Sequence, residues 1–264
     1  MKKNIPFYRY EYLYKCYGKK IIKIIDKVAS AGRYIMQKEL KNFEKNFAKF
    51  TNSKYCIGVS NATDGLQMLL MAGGIKKGDE ILVSMHTMIA TASAIHFTGA
   101  KPILLDIKES DYLIDEKKIE KKISSKTRAI IVTQLNGRVA DMEKILRISK
   151  KYNLKIFEDS AQALGAYYKK KHAGTFGYGG CFSFYPAKIL GCLGDGGAVI
   201  TNNKLIYEKI LALRDHGRLH NDIKIWGFNA RLDNIEAATL DYLLKKVPNF
   251  IRKVSALLNQ FFII

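Results

Sequence analysis

The sequence has 264 residues, 48% hydrophobic and 26% charged, which fits a folded globular protein with a sizeable core and excludes a disordered chain. No apolar run approaches the roughly 20 residues of a membrane-spanning helix, and the basic start, residues 1–10, lacks the apolar stretch of a secretory signal. The net charge of +20, from 44 basic and 24 acidic side chains, is spread in short lysine runs without an arginine block or aromatic ladder; this reads as a composition bias that draws in an anionic small substrate, and not as a nucleic-acid surface.

The first 50 residues read as two basic helices. Tyr55-Cys-Ile-Gly-Val is a short apolar strand, followed by a helix over residues 64–71. Residues 80–84, 101–106, 128–133 and 155–158 read as strands. Between them, helices are predicted over 88–97, 115–122 (with Asp115 as N-cap) and 141–152. Strands at 181–184 and 197–201 close the series, and residues 233–246 form a long helix. Alternation at this spacing means an α/β fold with a largely parallel sheet. The tail Phe261-Phe-Ile-Ile is apolar but too short to span a membrane. The four cysteines show no C-x-x-C spacing and read as reduced thiols of a cytoplasmic protein. The five histidines show no ligand spacing, so no metal site is expected.

Ligands of such sheets bind beyond the carboxyl ends of the strands. Asp159 stands at such an end, in Ile156-Phe-Glu-Asp-Ser-Ala-Gln. A carboxylate there can hold a cationic ring nitrogen, or can simply cap a helix. Lys188 lies in an apolar, glycine-flanked stretch, Phe182-Ser-Phe-Tyr-Pro-Ala-Lys-Ile-Leu-Gly. A lysine in a dry setting has a lowered pKa and can act as nucleophile or base, although a snorkelling lysine looks the same in sequence. Asn61-Ala-Thr-Asp-Gly-Leu opens a helix with small residues, whose free N–H groups suit a phosphate. Ser183, five residues before Lys188, can add a hydroxyl donor. The run Gly191-Cys-Leu-Gly-Asp-Gly-Gly lets backbone approach a ligand, or makes a tight turn. Together these describe a protein that holds pyridoxal 5'-phosphate.

Glu158-Asp-Ser-Ala-Gln-Ala-Leu-Gly-Ala, Gly174-Thr-Phe-Gly, Phe182-Ser-Phe-Tyr-Pro-Ala-Lys, Gly194-Asp-Gly-Gly-Ala-Val and Arg214-Asp-His-Gly-Arg resemble the motifs of the DegT/DnrJ/EryC1/StrS family. They stand in family order within a resemblance from about Ile5 to Lys253. The resemblance implies a PLP-dependent nucleotide-sugar aminotransferase of fold type I, the aspartate aminotransferase-like fold. It implies that Lys188 is the Schiff-base lysine and later shuttles a proton, and that Asp159 pairs with the pyridinium nitrogen. Gln162 then faces the ring hydroxyl, and Ala62, Thr63 and Ser183 bind the phosphate. Met88 stands where many members place an aromatic against the ring; a thioether can also pack there. Asn229, in Trp226-Gly-Phe-Asn, reaches the phosphate of a neighbouring subunit in a homodimer with shared sites. The substrates implied are an amino-acid donor, usually glutamate, and a keto sugar on a nucleoside diphosphate, feeding surface-polysaccharide, lipopolysaccharide or related glycan synthesis. Members that work as sugar dehydratases replace the lysine with histidine, and position 188 is lysine. Residues 1–245 are expected to form the cofactor domain and 246–264 a remnant of a small C-terminal domain, so that a truncated, inactive member is the alternative reading.

Overall fold

The computed structural model describes residues 6–220 and 222–261. Residues 1–5 and 262–264, on which the readings of the extreme termini partly rest, lie outside the described residues. Two helices lead, α1 (Glu11–Ala29) and α2 (Lys38–Thr51). The alternating series follows: β1 (Tyr55–Val59), α3 (Ala62–Ala72), β2 (Glu80–Ser84), α4 (Ile89–Phe97), β3 (Lys101–Leu105), α5 (Glu116–Ile119), β4 (Thr127–Thr133), α6 (Met142–Tyr152) and β5 (Lys155–Asp159). A small hairpin, β6 (Tyr167–Tyr168) and β7 (Lys171–His172), precedes β8 (Gly179–Ser183) and β9 (Gly197–Thr201). Then come α7 (Lys204–Arg214), a second hairpin of β10 (Arg218–Leu219) and β11 (Asp222–Ile223), α8 (Asn234–Leu244) and α9 (Val247–Phe261).

Seven strands form one sheet in the order β1-β9-β8-β5-β4-β2-β3. All run parallel except β9, which is antiparallel to both β1 and β8. Side chains alternate across the sheet. Ile57, Val59, Ile81, Val83, Ile131, Phe157 and Val199 pack under α3, α4 and α7. On the other face, Cys56, Phe182 and Ile200 meet α2 and α8, while Leu82, Ile130, Val132 and Ile156 meet α6. Burial on both faces explains why these strands read as nearly continuous apolar runs. The rings of Phe43, Phe47, Phe182 and Phe184 interlock at centroid distances of 5.3–5.6 Å and fasten α2 to the sheet.

Helix starts follow local chemistry. Asn61 caps α3 by accepting from Asp64 N–H at 2.9 Å, and Asp115 caps α5 by accepting from Lys117 N–H at 3.1 Å. The helix predicted over 233–246 ends at Leu244, and α9 begins at Val247. Pro248 is tolerated in that first turn, where its missing N–H would have no intrahelical partner.

Asp141 caps α6 and also accepts from Tyr168 Oη at 3.0 Å and pairs with Lys144 at 2.9 Å. Burial works to raise its pKa, but the bonds from Lys144 and Tyr168 outweigh that and hold it at about 2, below the ordinary 3.8. A depressed carboxyl pKa stabilises the fold above the unfolded value and loses that contribution as pH falls through the folded one. Asp141→Ala is therefore expected to cost about 1 kcal/mol at neutral pH. Thermal melts of wild type and variant should converge as pH falls from about 3.8 to about 2.

Candidate active site

Strand register sets the floor of the site. Thr133 lies opposite Asp159, Asp159 opposite Cys181, and Ser183 and Val59 both opposite Gly197. The carboxyl ends of β4, β5 and β8 thus present Thr133, Asp159 and Ser183 side by side. A cavity of about 410 Å³ lies beyond them. Lys188, Asp159, Gln162 and Ser183 line it, as do Ala62, Thr63 and Met88. The eighth predicted residue, Asn229, is not among its walls. It is exposed, in an isolated bridge with Asp215, beside Trp226, which is 96% exposed.

Asp159 is buried, and both of its oxygens are engaged: Oδ1 accepts from Ala161 N–H at 3.1 Å and Oδ2 from Thr91 Oγ1 at 2.6 Å. Desolvation pushes its carboxyl pKa up, opposed by the Thr91 and Ala161 bonds and by the charge of Lys188. Lys188 is half-buried. Desolvation pushes its ammonium pKa down, while the charge of Asp159 resists. The two groups therefore sense each other across one cavity, and Lys188 has more free amine available at neutral pH than a surface lysine.

The α3 N-terminus forms another wall. Its first i→i−4 bond is Gly65 N–H to Asn61 O at 3.1 Å, so the N–H groups of Ala62 and Thr63 precede the helical ladder. They are drawn close to the sheet by a glycine: a Cβ on Gly197 would lie 2.6 Å from the carbonyl carbon of Asn61 and 2.9 Å from Ala62 N. Ser183 Oγ accepts from Tyr185 N–H at 3.2 Å, which leaves its hydroxyl proton for an anion. Gln162 Oε1 accepts from Asn136 N–H at 3.2 Å, which leaves its amide NH2 as the donor.

Behind the floor, fully buried Glu158 accepts from Gly174 N–H (2.8 Å), Phe176 N–H (2.7 Å) and Gln134 Nε2 (2.9 Å). Gln134 in turn accepts from Ala140 N–H at 2.8 Å, so this carboxylate ties down the loop after β4. Thr91 is the residue the sequence reading missed. It is wholly buried, and only its i, i+4 spacing from Thr87 in His86-Thr-Met-Ile-Ala-Thr hinted at it. Tyr8, Thr87, Thr133 and Asp195 also line the cavity.

A doubly covered, mainly parallel sheet with this cavity at its strand ends is an α/β architecture consistent with fold type I, the fold of the solved structures it superposes on. The sequence profile of the DegT/DnrJ/EryC1/StrS aminotransferase family matches residues 15–261, and the chain belongs to that family. The match begins at residue 15 and continues through α9, past Lys253, where the resemblance read from the sequence ends. A dTDP-3-amino-3,6-dideoxy-alpha-D-galactopyranose transaminase of Aneurinibacillus thermoaerophilus is 44% identical, over 91% of this chain and 66% of its own. A UDP-2-acetamido-2-deoxy-3-oxo-D-glucuronate aminotransferase of Pseudomonas aeruginosa is 40% identical, over 82% and 60%. The crystal structure of S. venezuelae DesV in complex with a ketimine intermediate superposes with a TM-score of 0.90, at 36% identity, over 94% of this chain and 67% of that one. The chain thus spans about two thirds of the length of these relatives.

Proposed function

We propose that the chain carries the catalytic centre of a PLP-dependent aminotransferase that moves an amino group from an amino acid, glutamate in the first instance, to a keto sugar of a nucleoside diphosphate. The observation that carries this is the pairing of half-buried Lys188 with buried Asp159 in one cavity whose third wall is a helix N-terminus. Pyridoxal phosphate fits that set. The approach of Ala62 to side-chain-free Gly197 leaves a backbone cradle for a phosphate, and Asp159 is the buried anion for a ring nitrogen.

The cofactor, when bound, supplies an electron sink for the carbon that bears the migrating amine. Lys188 Nζ would hold the cofactor and, once freed, would carry the proton from the amine-bearing substrate carbon to the cofactor carbon that takes the amine, and back again in the second half-reaction. Asp159 holds the proton on the ring nitrogen. Gln162 donates its amide to the ring hydroxyl. Ala62, Thr63 and Ser183 supply N–H and O–H donors to the phosphate, and the thioether of Met88 packs on the ring. We further propose a homodimer. Exposed Ile223 (68%), Trp226 and Asn229 then meet the partner's site, consistent with an apolar patch that water would otherwise cover. Named relatives act on dTDP- and UDP-sugars, which supports a nucleotide-sugar acceptor and a role in glycan synthesis. Buried Cys56, Cys181 and Cys192 are free thiols, in keeping with a reducing cytoplasm. Lysine at 188 favours transamination over the dehydratase chemistry of histidine-bearing members.

The purified chain is expected to take up pyridoxal phosphate with a visible absorption band. Adding glutamate should bleach that band and release one equivalent of 2-oxoglutarate. A chain that binds the cofactor without reacting with any amino acid would overturn the assignment.

A further inference from the structure

Three hydroxyls run in line from the cavity wall to Asp159. Thr133 Oγ1 donates to Thr87 Oγ1 at 3.1 Å, Thr87 and Thr91 Oγ1 are 2.8 Å apart, and Thr91 Oγ1 donates to Asp159 Oδ2 at 2.6 Å. The backbone makes this line. Thr133 and Asp159 are register partners at the ends of β4 and β5, and Thr87 and Thr91 lie one helical turn apart where α4 begins. Thr91, Thr133 and Asp159 are all buried.

The direction of the chain follows from counting protons. Each hydroxyl has one to donate. An ionised carboxylate only accepts, so the proton of Thr91 is committed to Asp159. Thr91 must then accept from Thr87, and Thr87 must accept from Thr133. A chain of donors ending on a charge is stronger than its separate links, because each bond polarises the next. Protonating Asp159 removes the charge that orients all three.

We propose that Thr133, Thr87 and Thr91 form a one-way hydroxyl relay that keeps Asp159 ionised in its buried setting and fixed for a ring nitrogen. The functional half of this rests on the reading of Asp159 as the cofactor's partner; the electrostatic half does not. Thr91 and Thr87 are positioning residues, acting through Asp159. The titratable group that acts on Asp159 is Lys188, whose charge helps it stay ionised; its register partner Cys181 has a thiol held well above its ordinary pKa by burial and by the charge of Asp159. Ala161 N–H on the other oxygen supplies a fixed backbone donor that the relay variants leave in place.

The test follows the Asp159 carboxyl carbon by 13C NMR in the cofactor-free chain, with the resonance assigned by its loss in Asp159→Asn. Thr91→Val is expected to raise the midpoint by about one pH unit, a tenfold change in proton affinity, since a hydrogen bond to a charged group is lost. Thr91→Ser should restore it. Thr133→Val, which removes no hydrogen bond to the Asp159 carboxylate, should raise it by a smaller amount in the same direction. An unmoved midpoint in Thr91→Val, or in a well-folded Thr133→Val, overturns the relay; the second result reduces it to a lone bond. Should Thr91→Val fail to fold, Thr133→Val decides alone. Cofactor affinity is measured in parallel and should fall about tenfold in Thr91→Val. A midpoint that moves while affinity and visible spectrum stay fixed would leave the relay standing and remove Asp159 as the ring-nitrogen partner.

Discussion

Replacing Lys188 by alanine is expected to abolish the covalent attachment of pyridoxal phosphate and to lower amino transfer by at least about 10³-fold, since acid–base transfer alone contributes roughly 10²–10⁴-fold. The measurement is intact mass after borohydride reduction. The wild-type chain should gain one cofactor at Lys188, and the variant none. Lys188→Arg separates charge from chemistry. Arginine keeps a cation beside Asp159 but has no free amine at any working pH, so it should fail equally. Equal cofactor gain in Lys188→Ala would place the link on another lysine.

The largest stability effect is expected at Arg214. Its Nη1 donates to Glu44 Oε1 and to Gly58 O (2.8 Å), while Gly58 N–H donates to the same Glu44 oxygen at 2.9 Å. The two side chains are 5% and 13% exposed, so β1, α2 and the end of α7 share one desolvated ion pair. Arg214→Ala strands the Glu44 charge and should cost about 3–5 kcal/mol. The expected drop in Tm is on the order of 10 °C. Replacing both partners with apolar residues, Arg214→Met with Glu44→Leu, should recover much of that loss, because no buried charge is then left alone. A single variant that melts like wild type would show the pair to be solvated.

The fold was legible where one local signal sufficed. Apolar runs marked β1, β2, β4 and β5, and Asp115 stood out as a cap. Missed elements needed signals that compete. α7 has its own cap, Asn203, accepting from Leu205 and Ile206 N–H, and Ile206, Ile210 and Leu213 turn to the core. Its start directly follows the turn after β9, where turn-forming residues mask the helical spacing. The hairpins β6–β7 and β10–β11 are two residues per strand, too short for periodicity. The reversal of β9 is set by long-range pairing that no local pattern encodes. Seven of the predicted residues fall on the cavity wall because they cluster after strands in motifs. Thr91 was not legible, since a threonine within a small-residue helix has the same pattern whether or not a carboxylate meets it in space.

The inverted strand β9 carries a consequence for how the molecule assembles. β1 lies at the edge of the sheet, and among the described residues β9 is the only strand paired with it, apart from an isolated bridge from Val59 to Arg231, so residues 55–59 wait for residues 197–201. The β2–β4–β5 portion closes through shorter crossovers and is expected to form first, because closing a longer loop costs more chain entropy before contacts repay it. Until β9 arrives, Tyr55-Cys-Ile-Gly-Val has no strand to pair with along its length, a sticky segment of the kind that nascent chains must shield. The strand that ends this exposure also delivers Gly197 beneath Ala62. The pairing of β1 with β9 and the approach of Gly197 to the start of α3 are thus one event, and on the proposed reading a folding intermediate lacking that pairing would not hold the cofactor's phosphate.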